Sequence, residues 1–136
     1  MAESTDTDAV NRVAELLDSE PDVRLAFAFG SVPAGRADHE SDIDIAVLAE
    51  QPLSTDQLMK LTREIAQITG RPVDLVDLRT AGPLIGQQVL RDGKLLVRRS
   101  QTELGDFISR TIIDAADFLP VRNRAIRERL DRWIQE

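Results

Sequence analysis

Residues 42–48 read Asp-Ile-Asp-Ile-Ala-Val-Leu. Such an alternation has a period of two, which an extended strand sorts onto two faces. Ile43, Ile45 and Val47 then share one face, and Asp42, Asp44 and Ala46 share the other. Strands disfavour Asp, so the pair constrains the fold strongly. One face has to meet a core while the other holds two like charges side by side.

Other segments supply the partners for this strand. Val10, Val13, Leu16 and Leu17 recur at helical spacing, predicting a helix over about 7–18, with residues 1–6 as a frayed end. "RLAFAF" (24–29) is a short apolar strand that stops at Gly30. Ser54-Thr55-Asp56-Gln57 has the capping-box pattern, Leu58, Leu61, Ile65 and Ile68 form a stripe, and Gly70 with Pro72 supplies the stop. "VDLVDL" (73–78) predicts a third strand, and Pro83 and Gly93 bracket a short helix. "KLLVRR" (94–99) predicts a fourth strand. Leu104, Phe107, Ile108, Ile112, Ala115 and Leu119 mark a helix that Pro120 ends or kinks. A last helix uses Ile126, Leu130 and Trp133 or Ile134. Strands that alternate with helices give an α/β or α+β sandwich, here a mixed sheet of about four strands packed by helices.

With 136 residues, the expectation is one domain over 1–136, with a motif-bearing core at 24–98 and C-terminal helices at 101–136. A chain of this size buries about two-thirds of its unfolded surface. Cysteine is absent, which excludes disulfides and thiolate metal sites. No apolar run approaches the roughly 18 residues that cross a bilayer, and the acidic N-terminus is unlike a signal peptide. A soluble protein of a reducing compartment, the cytoplasm, is the expectation. The net charge of −7 repels polyanions, so nucleic acid is a poor default partner. Residues 120–136 run against that balance, with five Arg to three acids. Such a segment is most simply the solvated face of an amphipathic helix.

The chemistry concentrates in 26–48. Two carboxylates two residues apart on one strand face repel, and a divalent cation resolves the repulsion. Hard oxygen ligands suit Mg²⁺, which completes its shell with water and substrate phosphate. Asp42 and Asp44 are therefore candidate ligands. Upstream, Gly30-Ser31 offers backbone N–H groups and a hydroxyl to a phosphate. Transfer chemistry with two metals asks for a further carboxylate on the side of the attacking hydroxyl. Asp74 is the candidate, ahead of Asp77, which would face the other side of the same strand.

Gly30-Ser31, ten residues, Asp42-Ile43-Asp44, then Asp74 in a later strand resembles the signature of the DNA polymerase β nucleotidyltransferase superfamily. "GSVPAGRADHESDIDIAVL" and "VDLVDL" are most similar to its minimal nucleotidyltransferase (MNT) domains. The resemblance covers about 24–98. It implies a polymerase β-like fold in which Gly30 and Ser31 hold the β and γ phosphates. It also implies that Asp42, Asp44 and Asp74 hold two Mg²⁺ ions, Asp74 nearest the attacking hydroxyl, and that Arg36 pairs with the triphosphate. The implied reaction is AMP transfer from ATP onto a tyrosine of a HEPN-type ribonuclease toxin, this chain being the antitoxin. The sequence contains no Tyr, so a tyrosine acceptor must lie in the partner. The alternatives are a non-catalytic antitoxin acting by occlusion and a small-molecule nucleotidyltransferase. From the residues alone, Asp42 and Asp44 could line the solvated face of an edge strand, His39 reads as a surface residue, and Trp133 reads as core or interface packing.

Overall fold

The computed structural model describes residues 2–30, 42–116 and 131–133. Its elements run α1 (Ala2–Asp18), β1 (Val23–Phe29), β2 (Ile43–Ala49), α2 (Thr55–Thr69), β3 (Val73–Asp77), α3 (Pro83–Asp92), β4 (Lys94–Arg98) and α4 (Gln101–Ala116); 131–133 are also helical. The strand order is β3-β2-β1-β4. β1 runs antiparallel to β2 and β4, and β2 and β3 are parallel. This is the expected mixed four-stranded sheet. Among the described residues, no helix is long and apolar enough to cross a membrane.

The period of two in the strands separates two cores. Ala26, Ala28, Ile43, Ile45, Val47 and Val97 pack on Val10, Val13 and Leu17 of α1 and on Leu61 and Ile65 of α2. On the other face, Leu25, Phe27, Phe29, Ala46 and Leu48 meet Val89 and Leu90 of α3, then Leu104, Phe107 and Ile108 of α4, and Trp133. The sheet is thus the middle layer of a sandwich, and Trp133 belongs to its core. Its ring lies 5.5 Å from Phe27, and its carbonyl accepts a 2.6 Å bond from Arg98.

Local chemistry sets the ends of the elements. Ser54 Oγ accepts from the Gln57 N–H at 3.1 Å, and the Ser54 N–H donates to Gln57 Oε1 at 2.9 Å, completing the capping box. Gly70 closes α2 at φ 66°, its N–H bonded to the Ala66 carbonyl, a left-handed cap that favours glycine. Three residues later β3 begins, so α2 forms the crossover that a parallel pair requires. The expected frayed end differs: α1 begins at Ala2, not near residue 7. No Gly or Pro interrupts 2–8, so no residue type there breaks a helix.

Arg99 ties the edge strand to the turn between α1 and β1. Its guanidinium donates to the carbonyls of Val23 at 3.1 Å, Glu20 at 3.1 Å and Asp18, and to Asp18 Oδ1 at 2.9 Å. Charge-assisted bonds to carbonyls are the stronger kind. Arg99→Ala is expected to lower the unfolding free energy by about 2 kcal/mol, read from the urea midpoint at constant m-value.

Candidate active site

Register brings the acidic residues together. In the parallel pair, Asp44 lies beside Asp74; in the antiparallel pair it lies opposite Phe29. The bond from the Ile43 N–H to the Pro72 carbonyl, 2.9 Å, starts this alignment. Side chains at 42, 44, 46 and 48 share a strand face, so the two Asp lie on the side covered by α3 and α4. Asp74 joins them, in step with Val76 and Leu78. Asp42 and Asp74 are exposed, and Asp44 is half-buried.

β2 is an inner strand, so the edge-strand account of its carboxylates does not hold. Asp77 lies on the opposite face from Asp74 and is buried. Its carboxylate accepts from the Leu53 N–H at 2.8 Å and the Arg79 N–H at 2.9 Å. It pins the chain on both sides of the crossover, a role sequence reasoning missed. The Asp-x-Arg spacing of an Asx turn was the available signal.

Gly30 follows β1 at φ 81°, in the region that favours glycine. A side chain there would overlap Asp44 Oδ2, so the turn and the carboxylate are in contact. Ser31, Arg36 and His39 lie outside the described residues.

Burial raises the Asp44 carboxyl above its ordinary 3.8, and the charges of Asp74 and then Asp42 push the same way. The donors are hard oxygens, and Asp44 carries a repulsion that a cation would relieve, so the residues fit Mg²⁺. Among the described residues, no three His, Cys, Asp or Glu side chains form a ready-made metal-holding group. Mg²⁺ takes much of its shell from water and phosphate, so it does not require three protein carboxylates at once.

The sign of the pH effect follows. The folded state holds the Asp44 proton more tightly than the unfolded chain does. Stability therefore falls as pH rises from 3.8 through the raised folded value, and the penalty is complete above it. Asp44→Asn is expected to raise the melting temperature of the metal-free protein at pH 7. The advantage should vanish below pH 3.8, as thermal unfolding in a chelator would register.

Carboxylates on an inner strand and its parallel neighbour, set against a glycine turn, define a site suited to a metal-bound triphosphate. The chain belongs to the family described as Polymerase beta, Nucleotidyltransferase, whose model matches residues 11–102. The protein adenylyltransferase MntA of Shewanella oneidensis is 41% identical over 87 residues, 63% of each chain; the match spans less than two-thirds of that relative's length. A crystal structure of a toxin-antitoxin with AMP-PNP contains a chain 31% identical to this one, with a TM-score of 0.71, covering 93% of this chain and 98% of that one. A structure of tri-AMPylated S. oneidensis HEPN toxin in complex with MNT antitoxin matches at 28% identity and a TM-score of 0.64, over the full length of both chains.

Proposed function

We propose that this chain is a Mg²⁺-dependent protein adenylyltransferase that moves AMP from ATP onto a HEPN-type toxin, on tyrosine, and so serves as its antitoxin. The observation that carries the proposal is the alignment of Asp44 with Asp74 on the face that also bears Asp42, with Gly30 in contact. A solvated strand has no need to bring Asp44 into register with Asp74 beside a glycine turn. Similarity to an MntA adenylyltransferase and to a complex with AMPylated toxin supports the same acceptor class.

Asp42, Asp44 and Asp74 are the residues that would hold two Mg²⁺ ions. Bound there, the metal would withdraw charge from the phosphate oxygens and lower the pKa of a coordinated hydroxyl. Gly30 lets backbone N–H groups approach the β and γ phosphates closely; Ser31 and Arg36 add a hydroxyl and a guanidinium. Asp74 faces the incoming tyrosine hydroxyl and orients it. The oxygen bonds to the α-phosphorus as the bond to the bridging oxygen breaks, pyrophosphate leaves with that electron pair, and the hydroxyl proton is released.

The test is the intact mass of a HEPN-type partner after incubation with this chain, ATP and Mg²⁺. Adenylyl adducts that need all three would establish the activity. An unmodified partner in a stable complex would overturn it in favour of occlusion.

A further inference from the structure

We infer that Gly30 is a positioning residue for Asp44: the missing side chain at the end of β1 is the seat of the Asp44 carboxylate, so phosphate turn and metal ligand move as one unit. The inference deepens the proposed function and rests on it for its catalytic meaning, but not for its geometry.

A glycine in a phosphate turn is ordinarily explained by backbone conformation and by ligand access. Here a second constraint acts from inside the protein. A Cβ built on Gly30 would overlap Asp44 Oδ2, and would lie 3.3 Å from its Cγ and 3.6 Å from its Cβ. The carboxylate occupies the volume that any other residue would fill, and the glycine hydrogen in that direction points at its oxygen, a weak but geometrically selective contact. Phe29, the residue before Gly30, is the β-ladder partner of Asp44. The seat is therefore held by backbone pairing on one side and by the Asp74 register on the other. Moving Asp44 away from Gly30 would press it toward Asp74, a direction opposed by like charge.

Gly30 supplies a steric boundary instead of a hydrogen bond. Substitution there should damage two things at once, the approach of phosphate and the placement of a ligand oxygen.

A double-mutant cycle in the full chain tests this. Gly30→Ala is made in the wild type, in Asp44→Ala, which empties the seat, and in Asp44→Asn, which keeps its shape without charge. Gly30→Ala is expected to lower the melting temperature about twice as far in wild type and Asp44→Asn as in Asp44→Ala, because only backbone strain remains when the seat is empty. If Gly30→Ala alone fails to fold, folding should return in the double variant with Asp44→Ala. Equal shifts in all three backgrounds, or no rescue, would overturn the inference.

Mn²⁺ binding by electron paramagnetic resonance gives the second reading. A misplaced ligand is expected to weaken affinity about 10-fold or more in Gly30→Ala, as loss of a ligand's support does elsewhere. Unchanged Mn²⁺ affinity in a folded Gly30→Ala would also overturn it. Melting temperatures answer without ATP or partner, so failure of the adenylyltransferase reading leaves this result separately legible.

Discussion

The Asp42→Asn/Asp44→Asn double variant is expected to lose AMP transfer by roughly a thousand-fold or more, since charge stabilisation by bound metal is worth several kcal/mol. Asn keeps the shape of each side chain and removes the charge, so the fold and the complex with partner should persist. Asp44→Asn should even add stability to the metal-free protein, because the raised carboxyl is relieved of its neighbours. Loss of activity beside unchanged or increased melting temperature is the signature sought. Intact-mass kinetics at saturating ATP, with size-exclusion chromatography of the complex, measure both. Retained transfer would remove the two carboxylates from the catalytic centre.

Phe27→Ala is expected to cost about 3–5 kcal/mol, against a total of about 5–15 for a domain of ordinary stability. Phe27 has no exposed surface. It lies on the α3/α4 side of β1, with ring centroids 5.5 Å from both Phe107 and Trp133. Truncation would leave a cavity that three separate elements would have to move to fill, and it would loosen the strand that ends at Gly30. Urea denaturation followed by Trp133 fluorescence reads the change directly, since Trp133 is the sole Trp of the chain. A cost under about 1 kcal/mol would mean that the aromatic cluster closes easily around the gap.

Much of this was legible in sequence for a physical reason. Periodicity reports which side of an element is dry, and here it separated strands from helices cleanly. The Ser54 capping box and Gly70 stop set α2 to within a residue because both act locally. The Asp42–Asp44 pair stood out because charge on a strand needs a cause. Long-range facts were not legible. Nothing local shows that β2 is an inner strand, that Asp77 holds Leu53 across the crossover, or that Arg99 reaches back to Asp18, 81 residues earlier. The start of α1 was read too late because polar, acidic residues lack an apolar stripe to mark them. The packing of Gly30 on Asp44 depends on an atom glycine does not have, so no reading of residue types could supply it.

The single parallel pairing in the sheet has a consequence for the order of biosynthesis. As the chain emerges, β1 and β2 can form a hairpin-like pair early, but Asp44 gains its neighbour Asp74 only after α2 and β3 have been made. β1 keeps an open edge until β4 arrives, some 70 residues downstream of it. A nascent chain halted before β3 would carry Asp42 and Asp44 without Asp74 beside them. The pairing of Asp44 with Asp74 thus waits on the whole crossover, so the acidic face is completed by a long-range event and not by the hairpin alone.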